Sequence, residues 1–225
     1  MLRIQQCGNG KKIIEKPIRV FIDNLGPNIN TKYHEYGAVI SADESVIIFT
    51  SRREGSTGGK IDPVLNEYYE DLYISTKNAD GTWAAAQNMG ENVNTKDHDA
   101  VSAISADGQR IIIYRGDSGM GDLFECVLEG SEWSKPEDLG NKINTKNFQE
   151  PSACYSPDGN TLYFVSEAPG GLGKHDIYLS KRDDKGKWGP AENLGPTINT
   201  KYKEDGIYLH PDGKTLYFGS EGHTS

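Results

Sequence analysis

The residue types that could do chemistry recur at one position of a repeated pattern. Four turn motifs end in an aspartate, and the residue eight positions before that aspartate is acidic in all four copies. The acidic residues are Glu35, Asp99, Glu150 and Glu204. In a ring of repeats these carboxylates meet at one channel mouth, where they suit a metal ion, a polyamine or a Lys- or Arg-bearing peptide. The structural alternative is that each carboxylate caps the turn of its own unit or pairs with a neighbouring lysine, namely Lys32, Lys96 or Lys201.

A long loop in the first unit is the second candidate surface. The segment Arg53–Glu70 has no counterpart in the other units and is rich in charged and aromatic residues. Its candidate contact residues are Arg53, Asp62, Glu67, Tyr68, Tyr69 and Glu70. Long loops on a rigid scaffold are favoured places for binding, and tyrosine is a common interface anchor. We therefore expect this loop to contact a protein or peptide partner.

The sequence lacks the usual motifs of catalysis. It has no Gly-x-Ser-x-Gly elbow, no His-Glu-x-x-His motif and no phosphate-binding loop, so we expect a protein that is not an enzyme and needs no cofactor. Asp71, Asp122 and Asp176 follow glycine-rich loops, and we expect their carboxylates to accept hydrogen bonds from loop amides. Calcium is the less favoured alternative at these positions, because the dense ligand spacing of an EF-hand is absent.

The elements that position these residues repeat four times. The tetrad Ile/Val-Asn-Thr-Lys occurs at 29–32, 93–96, 143–146 and 198–201, and each copy follows a turn that ends in glycine. Between these markers lie short runs rich in β-branched and aromatic residues, bounded by Gly, Asp, Asn and Pro, which is typical of β-strands. A first and a second strand flank each aspartate turn, a third opens with Asp, and a fourth begins at Trp83, Trp133 and Trp188.

Four short antiparallel strands in every unit of about 50 residues predict an all-β fold, a β-propeller of at least four blades. The predicted single domain spans 1–225. Blade 1 covers 27–90 with its insertion at 53–70, blade 2 covers 91–140, blade 3 covers 141–195, and 196–225 form the inner half of the last blade. Residues 1–26 are expected to supply the outer strands of that split blade. The alternative is that the chain is a piece of a ring of five to seven blades.

Composition argues against several kinds of partner and cellular location. The 225 residues carry 24 Lys and Arg against 33 Asp and Glu, a net charge of −9 without a basic stripe, so nucleic acid is not an expected partner. The apolar runs are far shorter than the ~18–20 residues that span a bilayer, and we expect no transmembrane segment. The first twelve residues have no apolar stretch of a secretion signal. Three cysteines without a CxxC pair argue against a disulfide framework.

The repeat resembles the WD-like, TolB-type β-propeller repeat of bacterial envelope proteins. The motifs that carry this resemblance lie within 24–225 and are Ser156–Gly159 followed by Thr161–Phe164, Gly170–Gly173 with Asp176–Tyr178, Trp188–Pro190, and Asn193–Pro196. The Asn-Thr-Lys variant is most similar to propellers found beside tetratricopeptide and OmpA-type domains. The resemblance implies a binding platform in the periplasm or cell envelope, in an envelope or peptidoglycan-associated complex.

These observations predict a noncatalytic scaffold that binds a protein or peptide, with a basic partner favoured by the acidic charge. Two other readings stay open. One is a carbohydrate-active or peptidase-associated propeller whose catalytic part lies elsewhere. The other is a lectin-like sugar binder, for which the candidate aromatic residues are Tyr33, Tyr68, Tyr69 and Tyr202.

Overall fold

The computed structural model describes residues 19–117 and 120–223, together with residues 7, 8, 10, 11, 14, 15 and 17. The described residues form fifteen β-strands: β1 (Glu35–Ile40), β2 (Val46–Ser51), β3 (Asp71–Thr76), β4 (Gln87–Asn88), β5 (Asp99–Ile104), β6 (Arg110–Asp117), β7 (Met120–Glu129), β8 (Glu132–Trp133), β9 (Glu137–Asp138), β10 (Ala153–Tyr155), β11 (Thr161–Ser166), β12 (Asp176–Lys181), β13 (Glu192–Asn193), β14 (Glu204–Leu209) and β15 (Leu216–Ser220).

The strands pair into four antiparallel sheets in chain order. The orders are β1-β2-β3-β4, β5-β6-β7-β8 with β9 also on β7, β10-β11-β12-β13, and β14-β15. The predicted β-propeller of four-stranded blades is confirmed, and the second blade has a fifth short strand. In the first and third sheets the fourth strand begins later than predicted, because Trp83 and Trp188 form only isolated bridges and the paired residues follow them. In the second sheet Trp133 is part of β8, as predicted.

Each inner hairpin is closed by the repeated aspartate turn. In the second sheet, Ser105 Oγ donates to Asp107 Oδ1 (2.5 Å) and accepts from the Arg110 amide (2.9 Å), while the Gln109 amide also donates to Asp107 (3.0 Å). Such side-chain hydrogen bonds connect the ends of β5 and β6 across the five residues between them. The hydrogen bonds hold the pKa of the Asp107 carboxyl below its usual value, led by the one from Ser105. The repeated aspartates therefore fix hairpin register.

The hydrophobic core lies between consecutive sheets. One cluster joins the first and second sheets and includes Ile48, Leu72 and Ile113, all with no exposed surface. A larger cluster joins the second and third sheets through residues such as Ile112 and Phe164. Since each small sheet can bury its faces only against its neighbours, stacking of the repeats is what makes the fold.

The Asn-Thr-Lys turn fastens each sheet to the one before it. Asn94 accepts a hydrogen bond from the Leu72 amide (2.9 Å) and donates one to the Leu72 carbonyl (3.1 Å). Asn144 forms the same two hydrogen bonds with Leu123, and Asn199 forms them with Ile177. The asparagine therefore gives the strand amide an acceptor and adds a second donor to the carbonyl, which also accepts a backbone hydrogen bond from Met89, Leu139 or Leu194.

Residues before the first turn do not form the expected outer strands. The described residues 19–26 contain no strand, and the fourth sheet consists of β14 and β15 alone within the described part of the chain. The predicted split blade is therefore not formed by these residues, while Leu2–Gln5, the other expected strand, lies outside the described residues. Val20, Phe21 and Ile22 are exposed, because nothing in the described fold packs against them. The described residues contain no helix long and apolar enough to cross a membrane.

Candidate functional site

The inner strands of all four sheets line one groove of about 1020 Å³. β1 packs against β5, β5 against β10 and β10 against β14, and each contributes residues to the groove wall. Much of the wall is built from small residues, including Ala38, Ala100, Ser102, Ser152 and Gly206. Small side chains leave the central space open for a ligand.

Glycine bulges shape the first and last inner strands. Gly37 and Gly206 both have φ of +60°, a left-handed conformation that glycine adopts without steric cost. The pairing register of β1 and of β14 shifts at these residues. A Cβ at Gly37 would lie 3.2 Å from the Val101 carbonyl oxygen of the next inner strand. The bulge therefore allows close approach of two neighbouring inner strands.

The four predicted ring carboxylates lie inside their own turns. Asp99, Glu150 and Glu204 have no exposed surface, and 9% of the Glu35 side chain is exposed. Asp99 accepts hydrogen bonds from the Thr95 amide (2.6 Å) and hydroxyl (2.8 Å). Thr31 bonds Glu35 and Thr200 bonds Glu204 in the same way. This geometry corresponds to the structural alternative, in which each carboxylate caps its own turn. Lys32, Lys96 and Lys201, named as possible partners, do not pair with these carboxylates in the described contacts, and two of the four carboxylates pair with arginines instead.

Counter-ions divide the four carboxylates into two pairs. Arg53 lies 3.2 Å from Glu35, and Arg115 lies 2.5 Å from Asp99. Glu150 and Glu204 instead accept hydrogen bonds from hydroxyl groups, those of Ser166 (2.6 Å) and Ser220 (2.7 Å). Glu35, Asp99 and Glu204 accept hydrogen bonds at both carboxylate oxygens, which leaves them little capacity for a ligand from solvent. The side chains of these four residues therefore do not form a ring that faces solvent.

Glu150 differs from the other three carboxylates. The segment from Thr145 to Glu150 is one residue longer than its counterparts, and Asn147 within it has a left-handed backbone with φ of 68°. One carboxylate oxygen of Glu150 has no hydrogen-bond partner among the described residues. Burial raises the pKa of Glu150 to about 7, and the charge of Asp122 adds to this effect. The third blade thus contains a buried carboxyl group that titrates near neutral pH.

The inserted loop of the first blade folds back to the groove. Its residues Asp62 and Glu70 line the groove together with Tyr36, Arg52 and His98, and we call these five residues the first mouth cluster. Arg52 forms ion pairs with Glu70 and with Asp62 (3.4 Å), and the Tyr36 hydroxyl donates to Glu70 (2.7 Å). His98 Nδ1 also contacts Glu70. Burial favours a raised pKa at Glu70, but the hydrogen bonds from Tyr36 and His98 bring it below its usual value.

The remaining predicted loop residues lie outside the groove wall, and Tyr69 is the one that contacts the first mouth cluster among the described contacts. Tyr69 stacks on His98 with ring centroids 3.9 Å apart, and Tyr68 packs edge-on against Tyr33. Glu67 Oε2 lies 2.8 Å from Nδ1 of His34. Arg53 is separate from this group, because it pairs with Glu35 and lies over the Tyr73 ring. The structure therefore places Asp62 and Glu70 in the groove wall and Tyr69 against His98 of that wall. Glu67 and Tyr68 instead contact His34 and Tyr33, which lie outside the groove wall.

A second mouth cluster lies between the third and fourth sheets, and the sequence did not predict it. It consists of Glu167, His175, Lys203 and Asp205. His175 is 3% exposed, and its Nε2 lies 2.8 Å from Glu167. Asp205 lines the groove and lies 3.1 Å from Lys203 Nζ.

The two clusters occupy equivalent positions of the repeat. Glu70 and His175 each directly precede the aspartate that opens a third strand, while His98 and Lys203 each directly precede one of the recurring acidic residues. At the junction between the second and third sheets these two positions are Gly121 and Gln149, neither of which carries a charge. The second mouth cluster could have been predicted from the sequence, because charged or titratable residues recur at these two positions in two of the three blade junctions.

The aspartates that open the third strands hold their own loops. Asp71 accepts hydrogen bonds from the Thr57 amide (2.6 Å) and hydroxyl (2.8 Å), and Asp176 accepts from the Leu172 and Gly173 amides. These contacts agree with the expected loop role of the two residues. Within the described part of the chain, no group of three or more His, Cys, Asp and Glu side chains is placed to hold a metal ion.

Comparison with known proteins identifies the fold. No protein-family model and no curated protein matches the sequence. Among solved structures, TolB from Acinetobacter baumannii aligns with a TM-score of 0.54 at 15% identity, over 85% of this chain and 39% of that chain. Prolyl oligopeptidase B from Galerina marginata aligns with a TM-score of 0.51 at 14% identity, over 91% of this chain and 24% of that one. The chain has a TolB-type β-propeller fold and spans about two fifths of the TolB chain.

Proposed function

We propose that this chain is a noncatalytic binding module of the bacterial cell envelope that holds a basic polypeptide segment in the inner-strand groove. The observation that carries the proposal is the groove itself. It is formed by all four blades, has a volume of about 1020 Å³, and has small residues along much of its wall. Ligand sites are typically concave, with a few polar groups that orient the ligand.

The charge of the groove favours a basic ligand. Four carboxylates line it, those of Asp62, Glu70, Asp99 and Asp205, against the single arginine Arg52. Asp99 is neutralised by Arg115, which leaves an acidic excess in the two mouth clusters. The whole chain carries a net charge of −9, which adds a long-range attraction for cations. In this proposal the acidic mouth consists of Asp62, Glu70 and Asp205, and the predicted ring residue Asp99 contributes no net charge because it is paired with Arg115.

The polarity of the groove changes along its length. The mouth clusters occupy the end where the inner strands begin, while Ile40, Ile104, Tyr155 and Leu209 line the end where they finish. A polypeptide segment with a Lys or Arg side chain toward the mouth and an apolar side chain toward the other end fits this gradient. The resemblance to TolB-type repeats supports the cell-envelope location and a protein partner.

The proposal is tested with two alternating peptides, one of Lys and Ala and one of Glu and Ala, each carrying a fluorescent label. Fluorescence anisotropy at low and high salt gives the dissociation constants. We expect the Lys peptide to bind, the Glu peptide not to bind, and the affinity to fall with salt, because exposed charge pairs are screened.

The variants Glu70→Gln and Asp205→Asn each remove one mouth charge. Each is expected to weaken binding of the Lys peptide by up to about fivefold, the equivalent of ~1 kcal/mol for one charge pair. Glu129→Gln is the matched control, since this exposed carboxylate lies at the end of β7 and does not line the groove. Equal loss in the control and the mouth variants would attribute binding to net charge alone and refute the groove as the site.

A further inference from the structure

Strand β15 is nearly identical in sequence to β11, and the outer edge of β11 is paired with another strand. The segment Thr161–Glu167 reads Thr-Leu-Tyr-Phe-Val-Ser-Glu, and Thr215–Glu221 reads Thr-Leu-Tyr-Phe-Gly-Ser-Glu. Six of the seven residues are identical. The first of these segments contains β11 and the second contains β15, and each is the second strand of its blade. The two strands are therefore built to pair with the same kind of neighbour.

In the third blade, that neighbour is β12. It pairs with β11 antiparallel, with Asp176 opposite Ser166, Tyr178 opposite Phe164, and Ser180 opposite Leu162. Leu162 and Phe164 are then 0% and 1% exposed. In the fourth sheet, within the described part of the chain, no strand pairs with the outer edge of β15.

The side chains of β15 show the effect of this open edge. Leu216 and Phe218, the counterparts of Leu162 and Phe164, are only half-buried. Tyr217 is 56% exposed, and Tyr208 beside it on β14 is 53% exposed. An edge strand with exposed aromatic residues and unpaired backbone groups is a template for another strand.

Backbone directions identify the groups that are free to pair. The amide and carbonyl of Ile177 are both held by Asn199, on the side of β12 away from β11. Because backbone groups alternate along a strand, those of Asp176, Tyr178 and Ser180 point toward β11.

The same alternation applies to β15. The carbonyl of Thr215 and the amide of Glu221 bond the β14 side, to His210 and Lys203 respectively. The backbone groups of Leu216, Phe218 and Ser220 therefore point to the outer edge.

We propose that the outer edge of β15 binds a β-strand of the third-strand pattern Asp-(Leu/Ile)-(Tyr/Phe)-x-(Ser/Cys) as an added strand of the fourth sheet. The incoming strand runs antiparallel, with its Asp opposite Ser220 and its aromatic residue opposite Phe218. The three segments of this pattern in the chain are Asp71–Ser75, Asp122–Cys126 and Asp176–Ser180. All three are already paired within their own sheets, so a second copy of the chain has none of them free.

The probe is a synthetic peptide with the sequence of Lys174–Arg182, titrated into the full chain. Amide hydrogen exchange followed by NMR locates the contact. We expect slowed exchange at Leu216, Phe218 and Ser220, the amides that point to the outer edge. The amides of Tyr217 and Gly219 point to β14 and are expected to change little. Alternation along β15 is a readout that nonspecific adhesion does not produce.

Two N-methylated peptides form a matched pair of controls. Methylation at the positions of Tyr178 and Ser180 blocks the edge that faces β15, and we expect roughly thirtyfold weaker binding from the loss of two backbone hydrogen bonds. Methylation at the positions of Ile177 and Leu179 blocks the opposite edge and is expected to preserve affinity. Equal binding of the two peptides would overturn the proposal.

Self-association is the competing outcome at this edge. If β15 pairs with β15 of a second copy, the molecular mass doubles with concentration and the outer amides are protected before any peptide is added. That result would also overturn the proposal. Neither outcome bears on the groove, because β15 does not line it, so this proposal and the proposed function can fail independently.

Discussion

Replacing Glu150 with glutamine is expected to stabilise the fold, and increasingly so as the pH rises. Glu150 has no exposed surface, and one of its carboxylate oxygens lacks a hydrogen-bond partner among the described residues. Burial raises its pKa from 4.5 to about 7. A raised carboxyl pKa means that the folded state binds a proton that the unfolded state has released. The penalty is therefore absent below pH 4.5 and grows until the pH exceeds 7.

The full penalty corresponds to about 3 kcal/mol, since each pKa unit is worth ~1.4 kcal/mol. About 2 kcal/mol of it develops between pH 5.5 and pH 8.5 by the same linkage. The glutamine variant removes this pH-dependent part, although the exchange of oxygen for nitrogen adds a constant offset. The informative quantity is therefore the change between the two pH values in the difference between variant and wild type.

Urea unfolding at pH 5.5 and pH 8.5 measures that change. The control Glu129→Gln removes one negative charge from an exposed position, so it reports the effect of net charge alone. A variant-minus-wild-type difference in unfolding free energy that is the same at both pH values, within about 0.5 kcal/mol, would refute the account of Glu150. A change equal to that of the control would refute it as well.

Two substitutions test other parts of the framework. Asn94→Ala leaves the buried amide of Leu72 without its acceptor, while the Leu72 carbonyl keeps the hydrogen bond from the Met89 amide, so we expect a cost of about 1–3 kcal/mol in urea unfolding. Asn30→Ala, at the exposed equivalent position, is expected to cost less than ~0.5 kcal/mol. Equal costs would contradict the crossing role of the asparagine. Arg115→Met removes the ion-pair partner of fully buried Asp99 and is expected to cost about 3 kcal/mol by thermal or urea unfolding. A loss below ~1 kcal/mol would show that the Thr95 hydrogen bonds suffice for this carboxylate.

The groove and its mouth clusters depend on side chains that the repeat does not share. At the first blade junction the insertion brings Asp62 to the groove wall, and Glu70 occupies the position that is Gly121 at the second junction. Repeat proteins commonly place their variable residues on one face of a common frame. The two charged clusters are such variable positions, while the buried Thr–carboxylate turns are the frame.

The sequence by itself determined the strands, the turns and the stacking of repeats. The aspartate turns, the Asn-Thr-Lys tetrads and the strand segments are local patterns, because each depends on residues a few positions apart in the chain. The structure accordingly has strands at nearly every predicted position. The same holds for Asp71 and Asp176, whose glycine-rich loops lie beside them in the chain.

Only the tertiary structure decided which acidic residues face the groove. A position eight residues before a turn specifies the start of an inner strand, but it does not specify where the carboxylate points. Glu35, Asp99, Glu150 and Glu204 turn inward because a threonine or serine of the same blade offers donors there. Asp205 reaches the groove beside its buried neighbour Glu204, because successive side chains of a strand point to opposite faces. Contacts between blades, such as Glu70 with His98, join residues 28 positions apart and arise only when the sheets stack.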